Sequence, residues 1–203
     1  FGITNVLVVV VRFFGGVKLG VGGLVSAYRT AAQMALEESQ IIEKTIDVSF
    51  EISFDFKLTK GANSGLKYFV TLNEKSSGSA IGLEYQLLDD TLHPDAKAGR
   101  DGNRTLASLY DLIKAQKTTR FIRQPGNWNT ARIIVYPNNH VEHYLNGIKV
   151  LEYDRGSQAF RDLVAISKYK VWPNFGEAQK GHILLQDHGN EVWFRSIKIR
   201  ELK

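Results

Sequence analysis

The sequence contains no cysteine, which excludes disulfides, thiolate nucleophiles and cysteine-based zinc sites. It also lacks a lysine- and arginine-rich run of the kind that follows a phosphate backbone, and its net charge of +5 is modest and spread out. Nucleic acid is therefore a weak hypothesis for a partner. No apolar stretch approaches the roughly 20 residues of a membrane span. The run Val6–Val11 is too short, and it has neither the basic leader nor the cleavage site of a signal peptide.

Aromatic residues and glycines are abundant instead. Aromatic side chains make up 11% of the chain and there are 18 glycines, a combination that suits a β-rich architecture and sugar binding. From residue 48 onward, short alternating segments are separated by turn signals such as Asn146-Gly147. Between them we predict a polar loop from His93 to Arg104, a short helix near Ser108–Lys114, and a helix over about residues 158–167 that Ser157 caps. We therefore predict a mainly β fold, a β-sandwich, over residues 48–203, and this length can bury a sizeable core.

The first 47 residues follow a different pattern. An apolar, β-branched run over residues 5–14 predicts a strand buried on both faces, and helical spacing of apolar residues predicts a helix from about Leu24 to Ser39. The glycine-rich loop between them matches neither a Walker A loop nor the dinucleotide-binding fingerprint. A tight irregular turn is favoured over a phosphate cradle for these glycines. We predict that residues 1–47 form an N-terminal strand–loop–helix (α/β) fragment.

The stretch Gly82–Asp90 carries the clearest candidate chemistry. Its alternation predicts a half-buried strand, with Glu84 and Gln86 side by side on one face. A carboxylate beside an amide suits sugar binding or proton transfer, and a bulge at the strand end would turn Asp89 toward the same cleft. The alternative is a solvated face that carries ordinary polar residues.

One stretch of the N-terminal fragment indicates a protein family more specifically than its individual residues indicate a chemical function. It reads Asn5-Val-Leu-Val-Val-Val-Val-Arg-Phe-Phe-Gly-Gly-Val-Lys-Leu-Gly-Val-Gly-Gly-Leu-Val-Ser-Ala-Tyr28. This string resembles the signature of the IMPACT/YigZ-like family, and the likeness runs to about Phe54, with Phe13 where that family usually has tyrosine. The resemblance implies an α/β fold, a cytoplasmic protein and a poorly defined biochemical role.

A second resemblance covers about residues 50–203, where several motifs occur in a fixed order. They are Asn63-Ser-Gly65, Gly82-Leu-Glu-Tyr-Gln-Leu-Leu-Asp89, Ser108-Leu-Tyr-Asp-Leu112, Gly126-Asn-Trp-Asn129, His140-Val-Glu-His-Tyr-Leu-Asn-Gly147, Ser167-Lys168, Gly181-His-Ile-Leu-Leu-Gln-Asp-His-Gly189 and Val192-Trp-Phe-Arg-Ser-Ile-Lys-Ile-Arg-Glu-Leu202. Together they are similar to the 3-keto-disaccharide hydrolase family. The resemblance implies a concanavalin-like jelly-roll sandwich that cleaves glycosidic bonds in sugars already oxidised at C3, in the periplasm or outside the cell. The IMPACT-like piece stands where that family has a further N-terminal segment, so the sequence predicts a hybrid of two families.

This resemblance directs the choice of site residues. The candidate catalytic residues are Glu84, Asp89 and His143. The candidate substrate-binding residues are Gln86, His93, Trp128, Lys168, Gln186, Asp187 and His188. The reaction needs a base for the C2 proton, a group that stabilises the enolate and an acid for the leaving oxygen. Glu84 is the first choice for the base, and Lys168 is a candidate for stabilising the enolate.

Each assignment has a structural alternative. Asp89 is slightly favoured as a cap of the following loop, and His143 shares its parity with apolar neighbours, as a core histidine would. Trp128 is more often buried than stacked on a sugar, and Lys168 is more often an exposed lysine at a helix end. An Asp187–His188 pair could orient a base or bind a metal.

The predicted function is a carbohydrate-active hydrolase or lyase, with a small carbohydrate as its substrate. The alternatives are a sugar-binding module without turnover and an interaction protein of the IMPACT type. No cofactor is predicted, although the scattered histidines leave a divalent metal open. The two resemblances imply different compartments, periplasm or exterior for the main part and cytoplasm for the N-terminal fragment.

Overall fold

The fold comes from a computed structural model, which describes residues 10, 20–39, 48–72 and 80–202. The chain divides into two compact units, Phe1–Thr45 and Ile46–Lys203. The strand predicted over residues 5–14 and most of the glycine-rich loop lie outside the described residues.

The described part of the first unit is one helix, α1 (Val21–Glu37). It begins three residues earlier than the predicted start at Leu24, so that two glycines lie in its first turn. It ends where the amide of Glu38 donates to the carbonyl of Met34. Among the described helices, none is long and apolar enough to cross a membrane.

Over its described residues, 48–72 and 80–202, the second unit has eight strands and one further α-helix. They are β1 (Ser49–Leu58), β2 (Asn63–Thr71), β3 (Ile81–Leu88), β4 (Trp128–Val135), β5 (His140–Leu145), β6 (Ile148–Asp154), α2 (Gln158–Ala165), β7 (His182–Gln186) and β8 (Val192–Leu202). The strands form a five-stranded sheet, in the order β6-β5-β4-β1-β8, and a three-stranded sheet, in the order β3-β2-β7. Every pairing is antiparallel, which confirms the predicted mainly β, two-sheet class.

The core lies between the two sheets. Strict alternation in β1 turns Phe54 and Phe56 inward, where both are essentially inaccessible to solvent. The ring of Phe54 meets the ring of Tyr85 from β3 edge-on, with centroids 5.8 Å apart. Aromatic side chains of this size bury much of the apolar surface that stabilises a sandwich.

Strand β3 is buried on both faces, and the prediction of a half-buried strand is wrong in this respect. All eight of its residues are buried, including Glu84 and Gln86. The segment after the predicted loop contributes to the difference, because it runs along the free edge of β3 and brings the Tyr110 side chain near Glu84. The amide of Gln86 donates to the carbonyl of Ser108, and the amide of Tyr110 donates to the carbonyl of Glu84.

That edge segment also replaces a helix that the pattern predicted near residues 108–114. The structure has turns there, with isolated bridges from Leu109 to Tyr85 and to Ile113. Two residues, Ala107 and Asp111, have positive φ angles of 66° and 61°, which an α-helix does not accommodate. By contrast, the predicted cap of α2 is present, since the Ser157 hydroxyl accepts from the amide of Phe160.

Candidate functional site

The outer face of the three-stranded sheet carries the candidate site. In the register of β2 and β3, Lys67 lies opposite Glu84 and Gly65 lies opposite Gln86. The same face continues into β7, where Gln186 lies opposite Gly65. These side chains share a face because residues two apart along a strand point the same way.

Glu84 is the chemically unusual residue of this face. Its side chain is only 3% exposed, and burial raises the pKa of its carboxyl from 4.5 to about 7, although Lys67 and Lys168 act to lower it. The Lys67 ammonium is 4.0 Å from Glu84 Oε2. A carboxyl of this kind changes its charge near neutral pH, as a general base must.

Lys168 reaches this face from a short 3₁₀ helix, Lys168–Val171. Its ammonium lies 4.0 Å above the centroid of the Tyr110 ring, a cation–π contact. Lys168 is exposed as a whole residue, but its ammonium group is partly buried among these neighbours, and this burial lowers the pKa of the ammonium. The negative charge of Glu84 acts to raise that pKa, and the positive charge of Lys67 acts to lower it. Two ammonium groups therefore face one carboxyl.

A partly buried ion-pair network fixes Tyr110 and Lys168. The guanidinium of Arg104 bridges Asp111, with Nε to Oδ1 at 2.6 Å, and Asp95, with Nη1 to Oδ1 at 2.9 Å. Asp95 accepts a hydrogen bond from the Tyr110 hydroxyl at 2.8 Å, and Asp111 accepts one from the backbone amide of Lys168 at 2.8 Å. Arg104 thus holds the two acids that orient the residues above Glu84.

Two histidines belong to the same neighbourhood. Partial burial lowers the pKa of His188, and the positive charges of Lys67 and Lys168 lower it further. His93 is close enough to act on His188 in the same direction, and its Nδ1 accepts from the amide of Asp95 at 3.2 Å. We call the set Glu84, Lys67, Tyr110, Lys168, His93 and His188 the Glu84 cluster.

The two glutamines of this face differ in their partners. The Gln86 amide donates to Asn63 Oδ1 at 3.3 Å, and its own oxygen accepts from the amide of Leu87. Gln186 Oε1 is buried and accepts no hydrogen bond from the described residues. A buried acceptor without a donor is unfavourable, and a ligand hydroxyl is one group that would satisfy it. Asp187 is exposed in the next turn, where its carboxylate accepts from the amide of Gly189.

Asp89 is not brought into the Glu84 cluster. One carboxylate oxygen accepts from the amide of Gly61 at 2.8 Å, and the other accepts from the amides of Thr91 and Leu92. The side chain therefore caps the loop after β3, the structural alternative that the sequence slightly favoured. It also lines a cavity of about 320 Å³, whose wall includes the ion pair of Lys117 with Asp90.

His143 and Trp128 also lie apart from the cluster. His143 is fully buried in the core, where its Nε2 shares a hydrogen bond with the Tyr68 hydroxyl, and burial lowers its pKa to about 4. It packs against Tyr85, which points to the opposite side of β3 from Glu84. Trp128 belongs to the five-stranded sheet, where the guanidinium of Arg195 covers its ring at 4.0 Å.

Sequence reasoning missed Lys67, Arg104 and Tyr110. The outward parity of Lys67 in β2 was readable, but its pairing with Glu84 depends on strand register. Tyr110 lies in a quoted motif that the pattern wrongly assigned to a helix. No sequence pattern pointed to Arg104, because its two acidic partners are 7 and 9 residues away in an irregular loop.

One group of residues outside this site has the donor set of a metal site. Among the described residues, His140, Glu142 and Glu152 offer ligand atoms that all lie within 4.8 Å of one another. The Lys149 ammonium already lies 3.0 Å from Glu142 and 2.6 Å from Glu152. This cation already binds both carboxylates and offsets one of their two negative charges, so the group is held together by an ion pair in the structure.

Comparison with known proteins identifies the family. Residues 33–200 match the 3-keto-alpha-glucoside-1,2-lyase-like domain. The chain belongs to this family. Residues 1–36 match the Impact N-terminal domain, so both predicted resemblances are confirmed, although the lyase-like match begins within α1 rather than near residue 50.

The relatives of this 3-keto-alpha-glucoside-1,2-lyase-like chain fall in the same two groups. It is 39% identical over 175 residues to a 3-keto-disaccharide hydrolase of Bacteroides thetaiotaomicron, covering 76% of this chain and 59% of the relative. It is 46% identical over 117 residues to an IMPACT family member of Thermus thermophilus, covering 57% of this chain and 60% of the relative. The chain thus spans about three fifths of the length of the curated relatives it matches.

A solved structure supports the fold. The crystal structure of a proposed glycosyl hydrolase from Parabacteroides distasonis aligns with a TM-score of 0.66 at 27% identity. The alignment covers 76% of this chain and 72% of that one. A second such structure from the same organism aligns with a TM-score of 0.56 at 28% identity, covering 75% of this chain and 78% of that one.

Proposed function

We propose that the sandwich cleaves the glycosidic bond of 3-keto-disaccharides or 3-keto-glycosides, with Glu84 as the base. The family and the names of the relatives support a carbohydrate hydrolase-like function. The observation that carries the finer proposal is the Glu84 carboxyl, with its pKa raised to about 7 by burial beside two ammonium groups. Proton abstraction next to a carbonyl needs both a base and nearby positive charge.

The proposed reaction begins at C2, whose proton is acidified by the C3 carbonyl. The Glu84 carboxylate takes that proton, and the electron pair of the C2–H bond forms the enolate of the C3 ketone. Lys168 and Lys67 stabilise this negative charge electrostatically. When the enolate collapses to the ketone, a C1–C2 double bond forms and the C1–O bond breaks.

The proton that Glu84 carries is then available to the leaving oxygen, because a carboxylic acid with a pKa near 7 releases protons at neutral pH. Water adds across the C1–C2 double bond, with its oxygen on C1 and its hydrogen on C2. The sum of the two steps is hydrolysis of the glycosidic bond. Gln186 Oε1, which lacks a donor, is proposed to accept from a sugar hydroxyl.

An NMR time course on the purified chain tests this proposal. One sample contains a 3-keto-disaccharide and the other contains its unoxidised parent. We expect cleavage of the keto sugar only, and we expect Glu84→Gln to lower kcat by about 100- to 10,000-fold, as loss of a general base does.

The matched control is Glu142→Gln. Glu142 is also a buried glutamate, 7% exposed, but it lies in the five-stranded sheet. This variant should retain turnover within a few fold. Equal cleavage by Glu84→Gln and the unchanged chain would refute Glu84 as the base. Line broadening without cleavage in the unchanged chain would instead indicate a sugar-binding module.

A further inference from the structure

Gly65, which lies opposite Gln86, leaves a space that the side chain of Glu84 occupies. If Gly65 carried a Cβ atom, that atom would lie 2.5 Å from Glu84 Oε1 and 3.0 Å from Glu84 Cδ and Cγ. All three of the nearest atoms belong to Glu84. At these distances the carboxylate would have to move, because real Cβ atoms essentially never approach closer than 3.0 Å.

Backbone conformation does not explain this glycine. Gly65 is not among the glycines with positive φ, so its backbone accepts other residues. Other tightly packed glycines of the same sheet region differ in what they meet. A Cβ on Gly82 would lie 2.8 Å from Val70 Cγ2 and 2.9 Å from the Tyr68 carbonyl oxygen, and a Cβ on Gly181 would clash with the backbone of Phe69. Both of those glycines have backbone atoms among their nearest neighbours, whereas Gly65 makes room for a carboxylate alone.

A glycine at position 65 is expected to destabilise the sheet, because of where this residue lies. Gly65 lies inside the middle strand of the three-stranded sheet and pairs with Gln86 on one side and Gln186 on the other. Glycine in a strand interior weakens the strand, since it loses more conformational entropy on folding and packs no side chain. An alanine would suit the strand better if Glu84 were not there.

We infer that Gly65 is a positioning residue, whose bare backbone forms the surface on which the Glu84 carboxylate rests during catalysis. This inference rests on the proposed role of Glu84 as the base. Without that surface the carboxylate moves away from the sheet. A displacement of about 1 Å in a reacting group can lower turnover about 100-fold.

The test compares Gly65→Ala in two backgrounds, the unchanged chain and Glu84→Asp. Aspartate is one methylene shorter, so it lacks the Oε1 atom that makes the shortest contact, 2.5 Å, with the added methyl group, and only its Cγ stays at 3.0 Å. In the unchanged background we expect Gly65→Ala to lower kcat on the 3-keto-disaccharide about 100-fold, with a smaller change in KM. In the Glu84→Asp background the same substitution should lower kcat less than threefold. The control is Gly22→Ala in α1, where an added Cβ meets nothing within 4 Å and kcat should not change.

A second readout is independent of turnover. Carboxyl ¹³C NMR follows the titration of Glu84, whose pKa is raised to about 7 by burial. A carboxylate pushed from its place becomes better solvated, so Gly65→Ala should lower this pKa toward 4.5. If the unchanged chain cleaves no keto sugar, the proposed function fails, and the Glu84 titration still decides whether Gly65 holds the carboxylate.

The inference is overturned by an equal loss of kcat in both backgrounds with an unchanged Glu84 titration, or by a kcat of Gly65→Ala within threefold of the unchanged chain. A variant that unfolds is also decisive. If Gly65→Ala unfolds and the double variant with Glu84→Asp folds, the clash is with Glu84 as inferred. If both unfold, Gly65 serves the strand itself and the inference is wrong.

Discussion

Replacing Glu84 with glutamine should stabilise the folded chain, and the gain should grow as the pH rises. Burial raises the pKa of Glu84 from 4.5 to about 7, so between these two pH values the folded chain holds a proton that the unfolded chain has released. The stability associated with that proton is fully present below pH 4.5 and is lost as the pH rises to about 7. The difference between the two values corresponds to about 3 kcal/mol of unfolding free energy.

Glutamine does not titrate, so the Glu84→Gln variant lacks this loss. The unfolding free energy of Glu84→Gln minus that of the unchanged chain should therefore be about 3 kcal/mol larger at pH 8 than at pH 4. The difference is informative because His143, which titrates in the folded chain at about 4, contributes equally to both proteins. In the unchanged chain, the titration of His143 changes stability in the opposite direction to that of Glu84. A histidine with a lowered pKa destabilises the fold as the pH falls.

Urea unfolding at a series of pH values and constant ionic strength measures these free energies. Tryptophan fluorescence reports on the sandwich, because Trp128, Trp172 and Trp193 all lie in the second unit. Glu142→Gln serves as a control, because its effect on stability should change with pH in the opposite direction to that of Glu84→Gln. Hydrogen bonds from Lys149 and two tyrosines lower the pKa of Glu142 despite its burial, so this variant should lose stability relative to the unchanged chain as the pH rises. Parallel pH curves for Glu84→Gln and the unchanged chain would refute the raised pKa.

Two further outcomes follow from the site. The kcat/KM of the proposed reaction should rise with pH through about 7, because only the ionised form of Glu84 accepts a proton, and a flat profile from pH 6 to 8 would contradict Glu84 as the base. Asp89→Ala should destabilise the fold by about 1–3 kcal/mol, because three backbone amides lose their acceptor, while turnover per folded molecule stays the same. Urea unfolding and an active-fraction titration check this, and a lower kcat at unchanged stability would return Asp89 to the list of catalytic candidates.

Alternation along single strands was enough to predict the sandwich and the outward face of β3. It placed Tyr85 inward and Glu84 outward, and it gave His143 the parity of a core residue, as the structure has it. These predictions succeed because strand periodicity is local and the core selects apolar side chains on one parity.

The covering of that outward face was not predictable in the same way. The segment that pairs with the edge of β3 beside Glu84 lies more than twenty residues later. It has positive φ angles at Ala107 and Asp111, at the start of and within the stretch where a short helix was predicted. The contact of Lys168 with Tyr110 joins residues that are 58 positions apart in the chain. No spacing rule connects such residues, so Glu84 was identified as a candidate base while its buried environment was not.

The pairing of β1 with β8 also governs how the sandwich forms during synthesis. Ser49 lies opposite Leu202, so the first strand of the sandwich has one neighbour from the middle of the unit and one from its last strand. At translation rates of about 5–20 residues per second, the intervening stretch takes roughly eight to thirty seconds to appear. Throughout that interval the edge of β1 that later pairs with β8 stays open, although Tyr85 of β3 is already available to pack on Phe54. This open edge therefore needs protection from pairing with other chains until β8 has been made.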